Sequence, residues 1–310
     1  MTYTPSHIMC FAFALFCQTN ILAQKRFYNS SFEENNCIVE VSAGAGTINC
    51  LTDLGGRKGP GKKFLKDINW DNSQASGNFS FGVIIKDVFA ARLEASFGTI
   101  KAYDSILVNH KNDARTMGRY FRNLNFRSRI QEFSLQVEFH PIMLFDADDM
   151  PRLSPYVGAG IGRFSFDPET YYNGRWIRLQ PLKTEGQGFA EYPGRQPYKL
   201  QAFSYPLSIG LRYEVSNMFA ARFEISHRFT STDHLDDVSN EVYINPDLFA
   251  KYLKPGESAM AEKLYNRYRG AEFGYQQSYG DIRGQSFNKD GFFTICLKAG
   301  LTLGRLLRQH

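Results

Sequence analysis

Glu185 stands in the glycine-rich run Thr184-Glu185-Gly186-Gln187-Gly188, and Asp233, His234, Asp236, Asp237 and Ser239 crowd into one short stretch further on. Acidic side chains beside loop carbonyls are the donor set that a hard divalent cation such as calcium takes. Ser239, with His227 or His234 and a carboxylate, could equally supply the nucleophile and base of a hydrolase working on lipid or polysaccharide. A structural use competes with both and asks less of the residues. Motifs of this kind tie long loops to the ends of flanking strands through hydrogen bonds and Arg–carboxylate pairs. Arg122, Arg127, Arg129 and Arg228 are at hand to make those pairs. That use involves no catalysis, cofactor, metal or small-molecule substrate, and it is the expectation carried forward.

The elements that must position these motifs are strands. From Phe203 to Val215 every odd residue is large and apolar while the even ones are small, polar or charged. After a turn at Ser216-Asn217 the same alternation runs from Met218 to Phe229. Side chains on a strand alternate between faces, so each strand has one apolar face and one face bearing Arg and Glu. Six further segments read alike: Ile38–Asn49, Gly77–Ile85, Val88–Thr99, a strand centred on Phe133 to Phe139, Ser154–Phe166 and Gly291–Leu303. Phe-Ala-Ala-Arg-Leu-Glu-Ala-Ser (89–96) nearly repeats as Phe-Ala-Ala-Arg-Phe-Glu-Ile-Ser (219–226), which places these two strands in equivalent positions of a repetitive sheet. A helix is predicted over Ser258–Arg269, with Ser258 as its N-cap and Gly270 just beyond its end.

Composition narrows the class. The chain has 310 residues and a net charge of +5, without a Lys/Arg cluster interleaved with aromatics of the sort that grips nucleic acid. No apolar run reaches the roughly 20 residues a spanning helix needs. Residues 1–23 read as an export signal: Ile8 to Cys17 is compact and apolar, and Ala23 offers a small residue at the cleavage point. Cys37, Cys50 and Cys296 remain after it, an odd number with no metal-ligand spacing. They read as small strand residues, with a bridge between the first and last strands left open.

Eight strands joined alternately by short and long connections describe an eight-stranded antiparallel up-and-down barrel over residues 24–310. Its long loops fall at about 52–75, 102–125, 168–197 and 231–288. A soluble ligand-binding barrel would turn the apolar faces inward. A transmembrane barrel turns them to lipid, with short turns periplasmic and long loops extracellular, and the export signal and loop asymmetry favour it. Arg92, Glu94, Glu132, Glu138, Arg212, Glu214, Arg222, Glu224 and Lys298 would then fill the lumen and pair there. Outer-membrane lipid is the partner that such a barrel requires.

Four segments carry a resemblance. They are Asp53-Leu54-Gly55-Gly56, Arg122-Asn123-Leu124-Asn125-Phe126-Arg127-Ser128, Leu179 to Gly188, and Arg228 to Ser239. Together they resemble the PorG-like outer-membrane barrels of Bacteroidota, a family of otherwise unknown function with a member in the type IX secretion system. The resemblance spans about Cys37 to Val242 and the final strand. It implies a Gram-negative outer-membrane location, contact with periplasmic secretion-ring proteins, and an anchoring or assembly role. Two departures stand out: Asp233-His234 where the family pattern has Asp-Tyr, and a longer segment from Phe249 to Asn288.

Overall fold

The structure, a computed structural model, describes residues 37–56, 69–110, 114–144, 152–239, 242–274, 278, 280–284 and 289–303. The expected export signal and the acidic turn at Asp146–Asp149 lie outside these residues. Ten strands form one sheet: β1 (Cys37–Leu51), β2 (Gln74–Ile85), β3 (Phe89–Tyr103), β4 (Asn125–Phe139), β5 (Leu153–Ser165), β6 (Pro168–Tyr172), β7 (Arg175–Arg178), β8 (Gln201–Glu214), β9 (Phe219–Thr230) and β10 (Gly291–Leu303). Eight of them close into an antiparallel barrel, with β1 pairing to β10 and β3 to β4. The remaining two, β6 and β7, make a hairpin that continues the sheet above β4.

Closure follows from the alternation in sequence. Through the middle of the barrel wall the charged and small residues point inward and are buried, while the large apolar residues point out and are exposed. Phe133, Phe79 and Leu297 are each more than 60% exposed (66%, 63% and 68%). Phe81, Leu93, Leu135, Val137, Ile161, Leu207, Ile209 and Phe219 continue the band around the circumference. An apolar surface of this extent is costly in water and suited to hydrocarbon. The inward-facing apolar arrangement of a soluble barrel is therefore contradicted.

The two ends differ. Lys86 and Asp87 both take positive φ (48° and 59°), the pairing a two-residue type I′ hairpin turn requires. Val215 and Ser216 close the β8–β9 turn onto the Phe219 carbonyl at 3.0 and 3.1 Å. At the opposite end the connections are long and structured. The connection after β3 holds helix α1 (Ala114–Arg122), which the alternation did not foretell. The last holds α2 (Leu248–Tyr252) and α3 (Pro255–Leu264). The predicted helix thus starts earlier, with Lys254 at its N-cap and Pro255 in its first turn. Proline presets helical φ and needs no donor there. Ser258 sits inside the helix, where its amide bonds the Lys254 carbonyl at 2.8 Å.

The interior is layered. At the short-turn end Ile38, Ile84 and Ala90 form a small apolar floor. Charged residues fill the middle. Towards the long loops the inward positions turn apolar, and Ile48, Ile100, Phe126, Ile130, Phe164 and Phe292 pack under Leu54, Leu235 and Val238 from the loops. A small gap between the last two layers is lined by Asn78, Ser96, Ile130, Thr294 and Cys296. Cys37, Cys50 and Cys296 are free thiols, so the strand-to-strand bridge does not form.

Candidate functional site: a charged lumen under a knotted loop cap

The lumen network is built from inward positions of strands on opposite walls. Arg92 on β3 and Arg222 on β9 hold matching places in the near-repeated octapeptides, and the order of strands sets β3 and β9 across the barrel from each other. The Arg92 guanidinium reaches Glu224 at 2.7 Å, Glu138 at 3.0 Å and Gln136 at 3.2 Å. Arg222 donates to Glu40 at 2.6 Å and to Glu138 at 2.9 Å. Arg212 donates to Glu40 and Glu214, each at 2.9 Å. Lys298 bridges Glu94 at 2.5 Å and Glu224 at 2.8 Å. Gly210 leaves room for the Tyr156 ring, which a Cβ there would meet at 2.4 Å, and the Tyr156 hydroxyl donates to Glu224 at 2.7 Å.

All nine charged residues assigned to the lumen from the sequence are buried there. Three members escaped that reading. Glu40 lies in a Gly/Ala-rich strand where one charge stands alone, and Tyr156 has no charge to give it away. Arg228 was assigned to the loops and instead enters the lumen, donating to Glu132 at 3.0 Å and to Thr294. It sits on β9 in the same alternation as Arg222 and Glu224, so its parity was the missed signal.

The cap is a second network, above the apolar layer. Glu185 accepts from the Ser239 amide at 3.0 Å and the Ser239 hydroxyl at 2.7 Å. It also forms a buried ion pair with Arg283. Arg283 also donates to the Asp237 carbonyl at 3.0 Å and the Thr184 hydroxyl at 3.3 Å. Asp237 in turn accepts from Thr184 at 2.5 Å and from the Tyr198 hydroxyl at 2.6 Å. Gly186 and Gly188 adopt φ of 73° and 78°, which lets the chain curl so that Gln187 accepts from the Glu185 amide at 3.2 Å. Arg195 closes the loop by donating to the Glu185 carbonyl at 2.9 Å.

The knot extends to the remaining loops. Arg122 grips Asp104 with two bonds, at 2.8 and 2.9 Å, and also donates to the carbonyls of Asp53 at 2.8 Å and Arg283 at 2.7 Å. Asp104 accepts from the amides of Gly55 at 3.4 Å and Leu124 at 3.1 Å. Asn72 holds the Gly55 carbonyl at 3.1 Å, and Gly56 is buried beside it. Asn123 takes positive φ at the end of α1 and donates to the Arg267 carbonyl. Arg127 pairs with Glu169 at 2.7 Å and stacks over Trp176 at 4.1 Å, fixing the β6–β7 hairpin. Every long loop therefore contributes to one connected cluster. Arg283, Asp104, Tyr198 and Arg195 were not legible beforehand, because their partners lie far away in sequence.

Of the four arginines expected to hold loops, Arg122 and Arg127 do so, but against Asp104 and Glu169 rather than the motif carboxylates. Arg129 points outward and has no acidic partner among the described residues. Ser239 bonds Glu185, His234 stacks on Tyr198 at 4.2 Å, and His227 packs edge-on against Phe229. The Glu185 carboxylate is turned to Arg283 and Ser239, and the Asp237 carboxylate to Thr184 and Tyr198. No group of three His, Cys, Asp or Glu with metal-holding geometry occurs among the described residues.

The cap also carries crowded carboxyls. Burial pushes Asp233 up to about 7, with Asp53 and Glu185 adding to the rise. Burial raises Asp237 to about 6 against the pull of Arg283. Asp236 and Asp290 are raised well above the carboxylate range, first by burial and then by neighbouring acids. Asp290 accepts from the Leu235 amide at 2.8 Å and Asp236 from the Val238 amide at 2.9 Å, so these acids shape the turn that bears the motif.

No curated protein matches the sequence. Among solved structures the chain is similar to Ail of Yersinia pestis, at 9% identity and a TM-score of 0.37, covering 87% of this chain and 100% of that one. It is also similar to Neisserial surface protein A, at 10% identity and a TM-score of 0.36, covering 86% and 97%. OprG of Pseudomonas aeruginosa compares at 9% identity and 0.37, covering 86% and 95%. A family model described as "Domain of unknown function (DUF6089)" matches residues 32–247, a span that holds β1 to β9 and three of the four cap loops. The chain belongs to that family.

Proposed function

We propose that this protein is a non-enzymatic outer-membrane barrel that is closed to diffusion and displays a rigid cap of knotted loops outside the cell. The observation that carries the reading is the inversion of the barrel: an exposed apolar exterior around a lumen plugged by Arg–Glu and Lys–Glu pairs. Eight strands leave an interior that side chains fill, and paired charges lock the register. Long structured loops at one end and tight turns at the other support an orientation with the cap extracellular. Membrane fractionation and labelling of a cysteine introduced at Gly194, exposed on the cap, test it. Recovery from the outer membrane with labelling in intact cells is expected; a soluble periplasmic protein, or labelling only after rupture, would refute it. In planar bilayers the purified barrel should give no steady conductance.

Within this reading the role is that of an anchor or assembly component of the type IX secretion machinery. Its support is the resemblance of the Asp53–Gly56, Arg122–Ser128, Leu179–Gly188 and Arg228–Ser239 segments to the PorG-like barrels. Those segments meet in the cap, while a periplasmic ring protein would contact the turns near Lys86-Asp87 and Ser216-Asn217. Co-purification with ring proteins and loss of cargo export in a deletion strain are expected. Intact export with no co-purification would leave a structural barrel without a secretion role.

A further inference from the structure

The apolar band on the outer wall ends at Phe97 on β3, Phe133 on β4 and Ile161 on β5, all exposed. The next outward positions towards the long loops are Thr99 and Lys101 on β3, Gln131 and Arg129 on β4, and Arg163 on β5. Thr99 pairs opposite Arg129, Lys101 opposite Arg127, and Arg163 opposite Phe133, so the basic residues occupy adjoining strands along one edge of the band. Arg129 and Arg163 are exposed. None of the three meets a carboxylate among the described residues. Arg163 donates to the Gln201 side chain at 2.7 Å, Lys101 lies over the Tyr103 ring at 5.9 Å, and the Arg129 guanidinium has no hydrogen-bond partner among the described residues. Their neighbours Arg127 and Arg178 are neutralised by Glu169 and Asp167, each at 2.7 Å. The outward ends of β8, β9 and β1 carry Gln201, Phe229 and Leu51 instead.

Three cations with no acidic partner among the described residues stand on one wall, set directly above aromatic and aliphatic side chains. Guanidinium groups match phosphate oxygens in geometry, and their stems pack along apolar surface. The adjoining Phe97, Phe133 and Ile161 offer acyl chains a place that a free phosphate would not use. We propose that the outer wall of β3 to β5 binds the phosphate-bearing headgroup of an outer-leaflet lipid through Lys101, Arg129 and Arg163. This rests on the membrane reading given above.

The test uses the full chain in zwitterionic micelles, titrated with lipid A or with lipid A stripped of its phosphates and followed by native mass spectrometry. Wild type should bind lipid A saturably and prefer it over the stripped form. The triple variant K101Q/R129Q/R163Q should lose at least about tenfold in affinity, while K254Q, which removes a charge from the exposed cap, should not. Equal binding of the triple variant, or no preference for the phosphorylated lipid, overturns the site. Heat-modifiable electrophoretic mobility in the same micelles reports barrel folding for each protein. Its absence in wild type would overturn the membrane reading itself; its presence without lipid preference overturns only the lipid site.

Discussion

Arg283 is the residue whose removal should most selectively open the cap. It donates to Glu185, to the Thr184 hydroxyl and to the carbonyls of Asp237 and Tyr265, and it is buried. Arg283→Met keeps much of the volume but takes the buried guanidinium away from Glu185, which keeps the amide and hydroxyl of Ser239. Breaking a buried pair by deleting one partner costs about 3–5 kcal/mol, because the surviving charge stays desolvated. At about 1.4 kcal/mol per factor of ten, the open population of the loops should rise by a factor of about one hundred to a few thousand. The barrel strands make none of these contacts, so the loss should stay local. Limited proteolysis of the micelle-bound protein reads the open population when reclosing outpaces cleavage. Cleavage within residues 180–200 and 231–284 should accelerate by that factor, while heat-modifiable mobility stays that of wild type. Unchanged cleavage would mean that the cap does not depend on this knot; parallel loss of barrel folding would mean that cap and barrel are one cooperative unit.

Four further outcomes are expected. The raised carboxyl of Asp233, at about 7 against an ordinary 3.8, contributes stability that is fully present below its unfolded value and is lost as pH rises through about 7. Protection from hydrogen exchange in the cap, relative to intrinsic amide rates, should therefore be greatest below about pH 4 and fall between about pH 4 and 7, and Asp233→Asn should flatten that part of the profile. Leu135→Arg, on the lipid face of β4, should destabilise the barrel by about 2–4 kcal/mol in a denaturant titration in lipid, falling if the site lies near an interface. Arg212→Leu removes the buried guanidinium that Glu40 and Glu214 share, with Glu40 keeping Arg222, and should cost about 3–5 kcal/mol by the same titration. Replacing Lys86-Asp87 with Asn-Gly relieves two side chains held at positive φ and should raise the unfolding midpoint, without change in the cap's protease sensitivity.

Much of the barrel was legible because alternation with period two is a local property. Each strand from Val39 to Leu303 declares its two faces in its own residues, and the near-repeated octapeptides mark two walls that the fold sets opposite each other. Boundaries were less so. β4 begins at Asn125 rather than within the central run, because its first turns lie outside the apolar band and carry Arg127 and Arg129 outward. The β6–β7 hairpin and α1 leave no regular period in the sequence, since their burial is against other loops.

The sequence by itself determined that there would be eight two-faced strands, most with charges on the face opposite the large apolar residues, and motif-bearing loops collected at one end. It could not determine which way the faces turn in three dimensions beyond the weight of loop lengths, nor which Arg meets which Glu. Those pairs join residues such as Arg212 and Glu40, or Arg283 and Glu185, that closure of the barrel and folding of the loops bring together across long stretches of chain. Only the tertiary structure decided that Glu185 is answered by Arg283 and Ser239. A buried carboxylate must find donors where it lies, and which donors those are depends on how separate loops stack, not on the spacing within either motif.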